Sequence, residues 1–156
     1  MPYIADALHA LAANGYKLTQ PRRLVAEVLA TATQPLSPYD IQNRLAAKDQ
    51  RLDHVTIYRV LALLAKLGLA HRVYSTSGYV RCQLASDAGC HHYLICRSCG
   101  SLREFADAAL CAEADHAASR LGFHIEHHFT EVSGLCAACR TNDGVAVVHG
   151  EERHGV

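Results

Sequence analysis

The densest group of chemically reactive residues lies between Cys82 and Cys99, where four cysteines and two histidines occur within 18 residues. Thiolate sulfur and imidazole nitrogen are ligands that Zn²⁺ prefers, whereas harder ions select oxygen ligands. The spacing Cys96-x-x-Cys99 is repeated downstream at Cys136-x-x-Cys139. Because two such pairs can close one tetrahedral Cys₄ site, the sequence predicts a structural zinc ion at these four cysteines.

Redox chemistry or structural disulfides are the alternative reading of the same cysteine pairs. The chain has seven cysteines, an odd number, and its first residues show no charged leader before an apolar segment. No apolar run reaches the roughly 18 to 20 residues that a membrane span needs. We therefore expect a cytoplasmic protein without a membrane partner, in which cysteines serve metal or redox chemistry more often than disulfides.

Charge is distributed unevenly, although the whole chain of 156 residues has a net charge of zero. Residues 1–81 contain ten Lys and Arg against five Asp and Glu, whereas residues 82–156 contain five against ten. All seven cysteines and eight of the eleven histidines lie in the second half. A basic half joined to an acidic half rich in metal ligands indicates a nucleic-acid binder coupled to a metal site.

Hydrophobic periodicity predicts four helices in the first half. They are expected over residues 3–13, from Thr19-Gln20-Pro21 to before Gln34, from Ser37 to a polar connection at 48–52, and from Asp53 to Gly68. Ser37 and Asp40 have the spacing of a capping box, with Pro38 in the first turn, and Asp53 is a good N-cap. In the fourth helix the predicted buried face comprises Ile57, Val60, Leu61, Leu64 and Leu67.

Two β-rich runs follow, at 71–76 and 79–83, and Ser77-Gly78 is predicted as the turn between them. Helices followed by a hairpin are typical of a winged helix-turn-helix, in which the second helix of the pair enters the major groove of DNA. The candidates for base or phosphate contacts are Thr56, Tyr58 and Arg59, and those for phosphate are Arg22, Arg23, Arg44, Arg51, Lys66 and Arg72. Any one of these basic residues could be an ordinary solvated surface residue, but the excess of positive charge in the first half favours DNA binding by the group.

The second half has the pattern of a small α+β unit. Strands are predicted at 92–96, 101–105 and 123–131, with a helix from Asp107 to Leu121. A unit of this size buries little apolar surface alone, so we expect zinc and a second copy of the chain to stabilise it. Residues 141–156 carry no pattern and are expected to form a loose tail.

These residues resemble the Fur superfamily of metal-dependent bacterial repressors, and within it most closely the zinc uptake regulators, Zur. The motifs that carry the resemblance are Thr19-Gln-Pro-Arg22, Val55-Thr-Ile-Tyr-Arg59, His91-His-Tyr-Leu-Ile-Cys-Arg-Ser-Cys99-Gly and Gly134-Leu-Cys-Ala-Ala-Cys139. The resemblance implies an α+β protein with an N-terminal winged helix-turn-helix and a C-terminal α+β dimerisation domain. Its implied boundaries are 1–81 for the DNA-binding domain, 82–90 for a hinge, 91–140 for the dimerisation domain and 141–156 for the tail.

The resemblance also implies a second, regulatory zinc site at the hinge, with the ligands His71, Cys82, His91 and Glu104. The order of the chain agrees with this, because His71 and Cys82 lie at the two ends of the hairpin and can converge. Cys90 is the alternative to His91. A third metal site found in many relatives would use Cys90, His92 and one of His124, His127 and His128, with Cys111 as a further candidate. The other interpretation of these three histidines is a solvated strand face or a weak surface metal site.

The function that the resemblance implies is zinc-dependent repression of zinc-uptake genes by a homodimer on a palindromic double-stranded DNA operator. Two or more zinc ions per chain and no small-molecule substrate are expected. An iron- or peroxide-sensing regulator of the same superfamily is the main alternative, but the thiolate of Cys82 favours zinc. A zinc deaminase would need a proline where Leu135 stands, and no Cys-His pair has the context of a nucleophile. No catalytic residue is therefore predicted. A zinc-ribbon interaction module would leave the basic half of the chain unexplained.

Overall fold

Four helices and a two-stranded hairpin form the first half of the chain, and a three-stranded sheet with two helices forms the second. The computed structural model describes residues 2–84, 90–125 and 130–142. The elements of the first half are α1 Pro2–Ala13, α2 Gln20–Ala30, α3 Pro38–Ala46, α4 His54–Lys66, β1 Ala70–Val73 and β2 Gly78–Arg81. Those of the second half are β3 His92–Cys96, β4 Leu102–Phe105, α5 Ala108–Arg120, β5 Thr130–Gly134 and α6 Ala137–Asn142.

The predicted starts of α3 and α4 are confirmed by their capping hydrogen bonds. Ser37 Oγ accepts from the Asp40 backbone N–H at 3.2 Å, and the Asp40 carboxylate accepts from the Ser37 N–H at 2.8 Å, which completes a capping box. The Ser37 hydroxyl also donates to the Asp40 carboxylate at 2.6 Å, and this bond together with that from the Ser37 N–H holds the pKa of Asp40 below its ordinary value. Asp53 accepts from the Thr56 N–H at 2.8 Å. Both helices therefore begin at the residues that the sequence indicated.

The main hydrophobic core joins α1, α2, α3 and α4. Its fully buried side chains include Leu11, Val25, Leu29, Ile41, Leu45, Ile57, Leu61 and Leu64. Burial of this face of α4 leaves Val55, Tyr58 and Arg59 on the outer side, where they are exposed. Helix α4 ends before Gly68, whose positive φ of 68° permits the chain to turn directly into β1.

The hairpin differs from the prediction in the position of its turn. Strands β1 and β2 pair antiparallel with Val73 opposite Gly78, and residues 74–77 form the turn. Gly78 therefore lies in a strand, where a Cβ atom would lie 2.7 Å from the Pro35 Cβ. Leu36 and Tyr79 exchange backbone hydrogen bonds at 3.0 and 2.8 Å. The connection between α2 and α3 thus packs on the hairpin so closely that only glycine fits.

The sheet of the second half has the order β4-β3-β5. Strand β3 is antiparallel to β4 and parallel to β5. The predicted strand at 123–131 begins later among the described residues, at Thr130, and residues 126–129 lie outside them. Thr130 pairs with His92, the first residue of β3. Helix α6, which the sequence analysis did not predict, follows β5.

Helix α5 begins at the predicted Asp107, whose side chain accepts from the Ala109 and Leu110 N–H groups at 2.9 and 3.3 Å. None of its thirteen residues, all of which the structure describes, is buried. Leu110 is 44% exposed, and Leu121 at the end of the helix is 86% exposed. The large apolar side chains Leu110 and Leu121 therefore remain uncovered in the single chain, as they would in a subunit that packs against another copy.

The hairpin packs against the sheet of the second half through a separate, smaller core. Val73 and Val80 of the hairpin contact Tyr93 and Ile95 of β3, and Leu102 borders the cluster. All four residues of the cluster are less than 10% exposed, and Tyr93 is exposed by only 1%. One side of the hairpin thus packs on the helices of the first half, and the other side packs on β3 of the second half. This double contact brings the ends of the hairpin beside the residues of β4.

Candidate metal centres

The two cysteine pairs meet at the end of the sheet where β3 and β5 terminate. Cys96, Cys99, Cys136 and Cys139 each offer a sulfur atom, and these atoms all lie within 4.8 Å of one another. The Cys99 and Cys136 sulfur atoms are 3.8 Å apart. A Zn–S distance near 2.3 Å gives a tetrahedral edge of about 3.8 Å, so this spacing fits a zinc ion. The structure therefore brings together the four predicted structural ligands.

Backbone hydrogen bonds around the first pair explain this convergence. The Cys96 N–H donates to the Ser101 carbonyl at 2.9 Å, and the Gly100 N–H donates to the Cys96 carbonyl at 2.9 Å. Gly100 has a φ of 71°, which a residue with a side chain rarely adopts. The Arg97 N–H donates to the Gly134 carbonyl at 2.9 Å, which places the end of β5 beside this turn. The second cysteine pair follows directly in the chain.

The four thiols differ in how readily the fold lets them ionise. Hydrogen bonds from the backbone N–H groups of Cys136 and Cys99 lower the pKa of Cys96 to about 6. The Ser98 side chain favours the Cys139 thiolate, but the neighbouring thiols Cys136 and Cys99 outweigh it and raise the pKa of Cys139 to about 12. Hydrogen bonds from Ser101 also lower the pKa of Cys99, so the fold by itself favours the thiolates of Cys96 and Cys99. Full ionisation of the group needs a cation at its centre.

A second group of candidate ligands lies where the base of the hairpin meets β4. It comprises His71, Cys82, His91 and Glu104, whose ligand atoms also lie within 4.8 Å of one another. Glu104 Oε1 is 2.7 Å from His91 Nδ1 and 3.6 Å from His71 Nε2. His71 Nε2 is buried and has no hydrogen-bond partner within residues 2–84, 90–125 and 130–142. A buried nitrogen that faces a carboxylate and a thiol fits a zinc ion.

Each ligand of this mixed site is held by the fold. His71 pairs with Val80 in the hairpin. The Cys82 N–H donates to the Leu69 carbonyl at 2.9 Å, and the Tyr3 hydroxyl donates to the same carbonyl at 3.0 Å. Helix α1 therefore helps to position Cys82. The Glu104 side chain is fully buried and accepts a further hydrogen bond from the Gln83 N–H at 2.6 Å.

Electrostatics at the mixed site disfavour the charged forms of two of its ligands, His71 and Cys82, in the absence of a cation. Burial lowers the pKa of His71, against the opposing effect of Glu104. Burial and the negative charge of Glu104 raise the pKa of the Cys82 thiol to about 11. A divalent cation would reverse the effect on Cys82, because its charge stabilises a thiolate. The donor set of nitrogen, sulfur and oxygen is one that zinc accepts.

Cys90, the alternative to His91, lies outside the mixed site. It forms a disulfide with Cys111 of α5, and their Cα atoms are 6.5 Å apart. His92 Nε2 is 3.6 Å from the Cys111 sulfur and 3.3 Å from the Asp107 carbonyl oxygen. A disulfide sulfur is not a thiolate, so only the reduced pair could bind a metal here. Two further residues predicted for this third site, His127 and His128, lie outside the described residues, and His124 is exposed.

The residues predicted to bind DNA lie on more than one part of the first half. Tyr58 and Arg59 are exposed on α4, whereas the Thr56 hydroxyl donates to the Asp53 cap. Arg22 donates to the Lys17 carbonyl and lies over the Tyr16 ring, with 5.4 Å to its centroid. Arg23 and Lys66 are exposed. Lys66 is in the last turn of α4, about 15 Å along the helix axis from Thr56, so it could reach only a different part of a DNA duplex.

One exposed aromatic cluster was not singled out from the sequence. The ring centroid of Tyr39 on α3 lies 4.2 Å from that of His54, and His54 lies 4.8 Å from Tyr58. Tyr39 is 63% exposed and Tyr58 is 47% exposed. The signal in the sequence was a tyrosine on the polar side of the amphipathic helix α3. The three rings join α3 to the outer face of α4, which carries Tyr58 and Arg59.

Comparison with known proteins agrees with this architecture. The model of the ferric uptake regulator family matches residues 13–133, which is well over half of the chain. The chain belongs to the ferric uptake regulator family. Within that family it is 31% identical over 138 residues to the zinc uptake regulation protein of Escherichia coli K12, a match that covers 87% of this chain and 80% of the relative.

Solved structures of family members differ in how closely they match. A zinc uptake regulator in complex with zinc and DNA matches with a TM-score of 0.83 at 29% identity, over 92% of this chain and 97% of the other. The ferric uptake regulator of Vibrio cholerae matches with a TM-score of 0.57 at 25% identity, over 82% of this chain and 98% of the other. The first match covers both halves of the chain, so their arrangement here is similar to that in the zinc- and DNA-bound protein.

Proposed function

We propose that this protein is a zinc-responsive, DNA-binding transcriptional repressor of zinc-uptake genes that acts as a zinc-loaded homodimer. The observation that carries the proposal is the mixed site, because its ligands come from both halves of the chain. His71 lies in β1 of the hairpin and Cys82 directly follows β2, whereas His91 directly precedes β3 and Glu104 lies in β4. The sulfur of Cys82 favours zinc over iron and manganese.

The arrangement of the mixed site couples metal binding to DNA binding. A zinc ion bound by all four ligands would link the hairpin to the sheet of the second half. His71 and Cys82 then fix the orientation of the first half, including α4, relative to the dimerisation domain. Because the coupling free energy is reciprocal, operator DNA must raise zinc affinity by the same factor by which zinc raises operator affinity. Loss of zinc reduces the population of the binding-competent form.

The Cys₄ group would hold a structural zinc ion, which gives two zinc ions per chain. Its position between the ends of β3 and β5 would secure the sheet on which the dimer depends. The uncovered apolar side of α5 supports the same assembly. Two copies would present two α4 helices to a palindromic operator, with half-sites about one helical turn apart or a small multiple of it. We further propose a cytoplasmic protein without enzymatic activity.

A third metal site is part of the proposal only for the reduced protein. Reduction of the Cys90–Cys111 disulfide would place two thiolates near His92. Such a site would need a further ligand, for which His127 and His128 remain the predicted candidates. Soft sulfur and nitrogen ligands again favour zinc.

An iron- or peroxide-sensing regulator of the same family is the alternative function. It would use a regulatory site rich in histidine and carboxylate. The resemblance implies that iron-type members carry a His-His-Asp-His run at residues 90–93, so that Tyr93 replaces the last histidine of the run. The Tyr93 hydroxyl donates to Glu104 at 3.0 Å. Tyr93 therefore orients the Glu104 carboxylate and adds no imidazole ligand. A site with fewer histidines and with the Cys82 thiolate fits zinc better than iron.

Metal content and operator binding, measured together, test the proposed function. The reduced protein is analysed for metal per chain and for binding to a palindromic operator-like duplex, before and after treatment with a mild chelator. We expect two or more zinc ions per chain, of which one is removed together with DNA binding. One tight zinc ion, with DNA binding restored only by iron or manganese, would favour the alternative. DNA binding that does not depend on any metal would contradict both.

A further inference from the structure

The hairpin has a second polar contact with the dimerisation domain, at the end opposite to the mixed site. Glu131 of β5 accepts hydrogen bonds from the backbone N–H groups of Tyr74 and Ser75, in the turn between β1 and β2. The distances are 2.6 Å from Oε1 to the Tyr74 nitrogen and 3.0 Å from Oε2 to the Ser75 nitrogen. Each carboxylate oxygen thus binds one N–H group. Bonds of this kind to a charged acceptor are among the stronger hydrogen bonds in proteins.

Glu131 belongs to a row of three residues that crosses the sheet. Tyr93 in the central strand pairs with Glu104 of β4 on one side and with Glu131 of β5 on the other. Glu104 accepts from the Gln83 N–H at 2.6 Å, at the base of the hairpin. Glu131 binds the turn at its tip. The row therefore holds the hairpin at both ends, with its apolar side packed on Tyr93 between them.

The contact at the tip requires no metal. Glu131 belongs to neither candidate ligand group. Although burial opposes its ionisation, the hydrogen bonds from Ser75 and Tyr74 hold the pKa of Glu131 below its ordinary value. The carboxylate is therefore charged at neutral pH, with or without zinc. This separates its contribution from that of Glu104, which faces the candidate ligands directly.

We propose that Glu131 is a positioning residue that fastens the hairpin to the dimerisation domain and so sets the zinc concentration at which the protein binds DNA. The proposal rests on the proposed function. The contact is present in a domain arrangement similar to that of the zinc- and DNA-bound neighbour. The Glu131 contact therefore stabilises the DNA-binding arrangement of the two halves even before zinc binds. Zinc then needs to supply only the remaining part of the shift in population.

Glu131→Gln tests this role, because glutamine keeps the size of the side chain but replaces one acceptor oxygen with an NH₂ donor. It cannot accept from both N–H groups. Glu113→Gln is the matched control, since Glu113 is exposed on α5 of the same domain and the change in charge is identical. Operator binding is measured by fluorescence anisotropy in a series of buffered free-zinc concentrations. Hydrogen exchange of the Tyr74 and Ser75 amides is measured with and without zinc.

For Glu131→Gln we expect the half-maximal zinc concentration to rise at least about threefold, while operator affinity at saturating zinc changes less than about twofold. The Tyr74 and Ser75 amides should lose protection, and Glu113→Gln should behave as the wild type. A general structural defect would instead weaken binding at saturating zinc. Zinc titrations that superimpose for both variants and the wild type would overturn the proposal, as would unprotected amides in the wild type. If wild-type DNA binding does not depend on zinc, the proposed function itself fails, whatever the amides show.

Discussion

The Tyr93 hydroxyl donates a hydrogen bond to Glu104 Oε1 at 3.0 Å, and the same oxygen lies 2.7 Å from His91 Nδ1. Tyr93 is almost fully buried. Burial and the nearby Glu104 carboxylate raise the pKa of Tyr93, so its hydroxyl stays protonated and continues to donate. Tyr93 thus orients a candidate ligand without belonging to the ligand group.

Removal of this hydroxyl should weaken the regulatory site and spare the structural one. For Tyr93→Phe we expect zinc affinity at the mixed site to fall roughly 10- to 100-fold, the usual effect of losing a partner that orients a ligand. Competition with a chromophoric chelator measures the change. Tyr16→Phe, in the connection between α1 and α2, is the control. Equal zinc affinity for wild type and Tyr93→Phe would remove Tyr93 from this role.

Cys96→Ser should affect the whole second half. Cys96 accepts a hydrogen bond from the Cys136 N–H at 3.3 Å, and its thiol is the one that the fold makes most acidic. Since structural zinc contributes directly to folding, we expect loss of one zinc ion per chain and of the dimer. Sedimentation velocity and metal analysis together provide the readout. A stable dimer with full zinc content would show that the Cys₄ assignment is wrong.

Cys82→Ser should keep the fold and the dimer but lose the response to zinc. Serine fits the position but offers a weak oxygen ligand in place of a thiolate, so zinc affinity at the mixed site should fall at least about tenfold. The variant should remain a folded dimer that retains its Cys₄ zinc. Its operator binding should no longer respond to zinc, as measured by anisotropy in zinc buffers. Full zinc dependence in this variant would refute the assignment of the mixed site as regulatory.

Arg59→Ala tests α4 as the helix that reads DNA. Arg59 is exposed on its outer face. Loss of a bidentate contact to a base costs about 1–3 kcal/mol, which lowers affinity roughly 5- to 160-fold for each subunit that makes the contact. Lys66→Ala changes the charge by the same amount at the far end of the helix. We expect a smaller, salt-dependent effect from Lys66→Ala and normal zinc content in both. Unchanged operator binding by Arg59→Ala would exclude this face of α4.

Cys111→Ser examines the third metal site. In the reduced wild type, a third zinc ion should be detectable in addition to the two others if Cys90, Cys111 and His92 are ligands. In Cys111→Ser it should be absent, with the dimer intact. Mass spectrometry under native conditions gives the number of ions. A reduced wild type that never exceeds two zinc ions per chain would leave these residues without a role in metal binding.

Local patterns in the sequence predicted the elements that depend on neighbours in the chain. The capping box at Ser37 and the buried face of α4 follow from spacings of three and four residues, and both are confirmed. The Cys₄ group could be predicted because each cysteine pair is itself a local motif. The turn of the hairpin was placed wrongly, because the position of Gly78 depends on contact with Pro35.

Contacts between distant parts of the chain explain what the sequence did not reveal. Glu131 and the Tyr74 N–H are 57 residues apart, and no periodicity connects a carboxylate in one strand to the turn of another element. Which of Cys90 and His91 lies in the mixed site also depends on the folded structure. These adjacent residues contact different groups, since His91 faces Glu104 whereas Cys90 is bonded to Cys111.

The apolar side of the hairpin, where Val73 and Val80 are less than 10% exposed, is covered by residues of β3. A protein cut at the predicted boundary after Arg81 would expose both valines to water and lack the Glu131 carboxylate that accepts from the Tyr74 and Ser75 N–H groups. The boundary between domains in the sequence is therefore not a boundary between cooperative folding units. In native-state hydrogen exchange, the amides of β1 and β2 should therefore open together with those of β3.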